Sequence, residues 1–189
     1  PLFEEPFREL VLMMSNSMNL SYSGASTSCS TLVAFNYTNA PYYLRTGGTP
    51  SCDYFGLDIS GLLSNTAVGG ADPTGPVFRV KAGQEARIRL LNPGSTNQNE
   101  IFTLHGHVWQ EKPYVDASTR IGDNPLSNSF GAWAGHGPLN HFDVVIPKAG
   151  GSDAVPGDYL FQTFNMADLP GGMWGIMRVE AAGEECCDD

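Results

Sequence analysis

The chain has 189 residues, with 20 acidic against 10 basic side chains and a formal charge of −10. That balance excludes a cationic, phosphate-tracking surface for nucleic acid, and no apolar run is long enough to span a bilayer. The size allows one sandwich-sized domain with an extension, and the acidity suits solubility in an extracellular, periplasmic or cell-envelope setting.

The chain opens at Pro1 without a Met or a secretory leader, as a mature product or a piece of a larger protein would. Residues 7–14 (FRELVLMM) read as a strand and residues 32–37 (LVAFNY) as another. The Ser- and Gly-rich run NSMNLSYSGASTSCS between them is loop chemistry. This first part, 1–71, has too few apolar runs to close a core alone. It is expected to be an extension of edge strands and a long loop packed on a main domain of residues 72–180, with an acidic tail at 181–189.

In the main domain, Phe78, Val80, Ala86, Ile88 and Leu90 alternate with Arg79, Lys81, Arg87 and Arg89 around Ala82-Gly83-Gln84. The pattern predicts a hairpin with one face in the core and one in water. Residues 104–109, 142–146, 159–164 and 174–179 supply further strands, and no window carries apolar residues at helical spacing. Short alternating runs bounded by turn residues predict an all-β fold, a Greek-key β-sandwich.

Cys29 and Cys52 lie in loop-like sequence and suit a disulfide closing the N-terminal insertion, whereas the adjacent Cys186 and Cys187 form a pair that rarely bonds to itself, leaving bridges to other chains or to the two upstream cysteines open. Asn19-Leu20-Ser21 and Asn36-Tyr37-Thr38 are glycosylation acceptor triplets, meaningful only on a eukaryotic secretory route. The acidic residues Asp153, Asp158, Glu184, Glu185, Asp188 and Asp189 show no spacing of a hard-cation loop. GxSxG, phosphate-loop and HExxH patterns are absent, and the cysteines are not spaced for zinc.

Two motifs carry more. The stretch YLFQTFNMADLPGGMWGIMRV, residues 159–179, resembles without a gap the closing segment of multicopper oxidases, which runs YLFHCHNLEHEDAGMMG in bacterial members. Tyr159, Leu160, Phe161, Asn165, Gly172, Met173, Gly175 and Val179 coincide. At the ligand positions Gln162 and Phe164 stand for cluster histidines, Thr163 for the type 1 Cys and Asp168 for a type 1 His, while the axial Met is kept as Met173. EIFTLHGH, residues 100–107, resembles the family's HPFHLHGH, with Glu100 and Thr103 replacing the type 1 and type 2 His. His105 keeps the type 3 position, and His107 falls on a position that is usually not a ligand. PVFRVKAGQEARIRLLN resembles the first strands of a cupredoxin domain, NHFDVVI its penultimate strand, and FNYTNAPYYLR a stretch that precedes a late domain in large members.

The resemblance, over about residues 72–180, implies a cupredoxin-like sandwich and a late domain of a secreted oxidase. Such enzymes oxidise a phenol, metal ion or similar donor and reduce dioxygen to water. It implies copper in the full assembly but none at this chain's type 1 positions, since a blue copper centre needs a thiolate and two imidazoles. The pocket is then expected to be refilled, with Thr163 hydrogen-bonded and Met173 packed on apolar neighbours. Gln162 and Phe164 would lie on the cluster side beside His105, with Phe164 filling the space of an ion. Met166, Met173 and Met177 read as core packing.

His105 and His107, placed on one strand, would share a face and form a His-x-His metal pair completed from a neighbouring domain or chain. The other reading is inherited scaffold, in which hydrogen bonds and packing hold both rings. His136 and His141 read as residues that fix loop geometry by hydrogen bonding. The expected partners are other cupredoxin domains or chains of the same protein, homo-oligomerisation included. The alternative function is a non-catalytic assembly module of an extracellular layer, fibre or envelope complex, which would require no copper.

Overall fold

The computed structural model describes residues 6–15, 33–42, 45, 72–94, 100–115, 121–164 and 168–183. Cys29, Cys52, Cys186, Cys187, Asn19 and Met166 lie outside them, and so does the expected disulfide.

The elements are β1 (Arg8–Ser15), β2 (Ala34–Phe35), β3 (Val77–Lys81), β4 (Ala86–Leu91), β5 (Glu100–Leu104), β6 (Trp109–Gln110), β7 (Ser129–Phe130), β8 (Ala132–His136), β9 (His141–Ile146), β10 (Gly157–Thr163), the four-residue helix α1 (Asp168–Gly171) and β11 (Trp174–Glu180). Two sheets dominate, one ordered β2-β1-β4-β9 and the other β3-β11-β10-β5-β8, with a small β6-β7 ribbon beside them. Alternation puts Leu10, Leu12, Ile88, Leu90, Val144 and Ile146 on the inner face of the first sheet. Val80, Phe102, Leu104, Phe161, Met177 and Val179 meet them from the second. The result is the expected all-β sandwich, its core lined by both inner faces.

Three expectations about pairing are corrected. β3 and β4 are not a hairpin: β3 pairs in parallel with β11, and β4 lies between β1 and β9. The turn at Gly83 (φ 79°) instead carries the chain from one sheet to the other. Both strands point the same residues at the core, so a period of two fixes the buried face and leaves the partner open. β1 is not an edge strand either, since it runs parallel to β4 from Arg8↔Ala86 to Met13↔Leu91 with β2 outside it. The second strand shortens to Ala34–Phe35, because Asn36 and Tyr37 turn with φ of 52° and 60°. Asn36 then accepts from Met13 N–H and donates to Val11 carbonyl, so this sequon's amide is engaged with β1.

A second cluster covers the outer face of the five-stranded sheet. Ala40 and Tyr42 pack with Trp174 and Ile176, flanked by Leu160, and the Trp174 indole N–H donates to Ala40 carbonyl at 2.9 Å. Gly175 is required where β10 and β11 meet. A Cβ there would sit 2.3 Å from Phe161 Cζ and 2.5 Å from Pro76 carbonyl oxygen.

Candidate functional site

β5 and β10 are antiparallel neighbours, with Thr163 opposite Phe102 and Gln162 opposite Thr103. Successive side chains leave opposite faces, so both sides of one strand pair must be described.

On the inner side Glu100, Thr163, Asp168 and Met173 are all buried. Thr163 Oγ1–H donates to Asp168 Oδ2 at 2.8 Å, and Met173 N–H donates to Asp168 carbonyl at 2.8 Å. Burial first, then the nearby Glu100 charge, pushes the Asp168 carboxyl up to about 7, against the lowering bond from Thr163. Met173 packs into the main core. The expected hydrogen bond at Thr163 and the apolar packing of Met173 are both present. Three oxygen-bearing side chains and one thioether do not fit a type 1 copper ion, which takes thiolate and imidazole. Among the described residues no group of three or more His, Cys, Asp and Glu is arranged to hold a metal.

His136 ends β8 directly opposite Glu100. The expected hydrogen-bonding loop residue is instead fully buried, its ring edge-on to Phe142 at 4.5 Å. Neither ring nitrogen has a hydrogen-bond partner among the described residues, and burial pushes its pKa down to about 4. The GHGP context offers no periodicity, so this buried strand end was missed. His141 opens β9 and is exposed.

On the outer side the His-x-His geometry is corrected. β5 stops at Leu104 and Gly106 takes φ 72°, so His105 and His107 do not share a strand. The His107 ring folds back on its own turn. Nε2 accepts Gly150 N–H at 3.0 Å, which puts the proton on Nδ1, and Nδ1–H donates to His105 carbonyl at 2.9 Å. Burial lowers its pKa, opposed by that bond to His105. Both nitrogens are therefore committed to the fold, which is the scaffold arrangement for His107. His105 is exposed, its Nε2 3.5 Å from Gln162 Nε2. Gln162 lies beside His105 as expected, but its buried Oε1 has no partner among the described residues. Phe164 does not fill that space: it is 69% exposed, because β10 has ended and its N–H donates to Ile101 carbonyl.

The architecture is that of a cupredoxin-like domain. A multicopper oxidase from Campylobacter jejuni, described as a metallo-oxidase, superposes with a TM-score of 0.53 at 12% identity over 93% of this chain and 30% of its own. Copper nitrite reductase from Nitrosomonas europaea gives 0.51 at 14% identity, over 94% of this chain and 50% of its own. A probable nitrite reductase-hydroxylamine oxidoreductase fusion protein of Kuenenia stuttgartiensis is 26% identical over 106 residues, 56% of this chain and 10% of that protein. No family model matches. The chain thus spans half or less of each of these relatives, and at these identities the likeness establishes the fold.

Proposed function

We propose that this chain is a late cupredoxin domain of a secreted or envelope multicopper oxidase-like protein. It holds no type 1 copper itself and offers an interdomain surface to oxidation at copper held elsewhere in the assembly. One observation carries the reading: within a cupredoxin-like sandwich, the positions of the type 1 ligands form a closed pocket of Glu100, Thr163 and Asp168 beside Met173. The covered fraction of each relative supports a domain role, since these folds recur there as parts of longer chains. No helix among the described residues is long and apolar enough to cross a membrane.

The outer face supplies the surface. His105, just after β5, and Phe164, just after β10, are exposed at opposite ends of this antiparallel pair, and an exposed aromatic and an exposed imidazole suit burial against another cupredoxin domain or chain. Of the His105–His107 pair, His105 is the residue available to a shared metal centre. The division at 71/72 belongs to the same proposal, with β1 and β2 completing the sandwich from the extension. Copper quantitation on the full chain together with its natural partners tests the reading. Stoichiometric copper that survives Asp168→Asn supports it, and an assembly free of copper favours the assembly-module alternative.

A further inference from the structure

An open sheet ends in strands whose outward N–H and C=O groups can pair with another chain, and folds guard such edges with short length, charge or cover. Among the described strands, β2 and β9 end one main sheet, and β3 and β8 end the other. Three of these edges are guarded. β2 is two residues long and buried. β9 carries Asp143, ion-paired to Arg89, and has β6 against it. β3 exposes Arg79 and Lys81.

β8 has none of these guards. No Asp, Glu, Lys or Arg occurs from residue 124 to residue 142, in a chain whose net charge is −10. Among the described strands β8 pairs with β5 alone, through Thr103↔Ala132, Phe102↔Trp133 and Ile101↔Ala134. Every second residue therefore turns its N–H and C=O outward, and Gly131, Ala132 and Gly135 are exposed. The regular edge stops at Gly135, where φ of 87° and a bulge against β5 break the ladder. What is left free is Gly131 to Gly135, and its sequence, GAWAG, reads the same in both directions.

We infer that β8 is a self-association edge, along which two copies of this chain pair antiparallel about a two-fold axis at Trp133. The two five-stranded sheets then continue into one another. The axis sets Gly131 opposite Gly135, Ala132 opposite Ala134 and the Trp133 backbone opposite its own copy, so the palindrome presents the same pairs on both sides. Charge favours a second copy as the occupant: two chains of −10 repel where acidic surfaces meet, and this run carries no acid. Such a pairing consumes the edge on both copies, and the guarded edges stop growth at two. The bonds are main-chain and need no copper, so the inference stands apart from the proposed function. The edge is short and gives up water to pair, so the dimer is weak, with a dissociation constant on the order of 100 µM.

The test is sedimentation of the full chain from about 5 µM to about 1 mM, with amide exchange along β8 read at both ends of that range. The expected result is a monomer at the low end, a dimer at the high end, and slowed exchange within residues 131–135 only where the dimer forms. Ala132→Glu places a carboxylate on the exposed edge and should weaken association about tenfold or more. Val11→Glu adds the same charge at a half-exposed position of the other sheet and should leave association unchanged. A chain still monomeric at the top of the range, a dimer indifferent to Ala132→Glu, or assemblies that grow past two overturn the inference. So does a β8 edge protected only when the natural partner proteins are added, which would assign it to a different chain. If Ala132→Glu fails to fold, the concentration dependence of wild-type exchange along β8 decides the matter. A β8-paired dimer in a copper-free assembly sustains the inference while the proposed function falls.

Discussion

The two faces of the β5–β10 pair differ in how they settle their polar groups. On the inner face Thr163 hydrogen-bonds Asp168, with Glu100 buried nearby and Met173 packed into the core. On the outer face Gln162 Oε1 is buried without a hydrogen-bond partner among the described residues, while His105 and Phe164 stand exposed at opposite ends of the pair. Unmatched buried atoms are found on both sides, since the His136 ring nitrogens opposite Glu100 have no hydrogen-bond partner among the described residues either. A buried polar atom left unmatched costs about 1–3 kcal/mol, which the fold avoids at Thr163 and tolerates at Gln162 and at His136.

Phenylalanines on either face of β10 give the largest contrast. Phe161 stacks on Phe78 with ring centroids 5.5 Å apart and tilts against Phe35 and Phe102. Phe161→Ala should cost about 3–5 kcal/mol in denaturant unfolding. Removing the inner hydroxyl by Thr163→Val should cost about 1–3 kcal/mol, by leaving a buried carboxyl one donor short. A cost near zero would mean that water or an ion already serves Asp168, which would break the contrast between the faces.

His136 sharpens the comparison from the acid side. Its folded pKa lies below that of the free side chain, so the unfolded chain takes up a proton first. Its contribution is therefore intact above about 6.5 and is lost as pH falls towards about 4. His136→Phe removes two unmatched buried nitrogens, so stability at pH 7 should hold or rise, and the acid-side decline should flatten in melts from pH 7 to pH 4. The smallest expected effect is at Phe164. Phe164→Ala should move the stability of the chain by no more than about 0.5 kcal/mol, yet weaken its association with a partner domain in a pull-down at fixed concentration.

What could be read from the sequence follows the range of the interactions. The inward sets of β1, β4 and β9 were legible because alternation depends only on neighbours along a strand. The partners of β3 and β4 were not, because the same alternation serves a hairpin and a crossing between sheets. The inner pocket was legible from two motifs aligned on known ligand positions, which placed Glu100, Thr163, Asp168 and Met173 together. The lift of the Asp168 carboxyl to about 7 was not, since it depends first on burial and then on the nearness of Glu100. The expectation that His105 and His107 share a strand failed on one backbone angle, at Gly106, and no periodicity marked His136 as buried.

The central claim is that the inner pocket is closed by its own side chains rather than by copper. Visible absorption and metal quantitation of the full chain after copper loading test it most directly. The account predicts no thiolate-to-copper absorption, and bound copper, if any, unchanged by Thr163→Val or Asp168→Asn. An intense blue band that either substitution abolishes would contradict it.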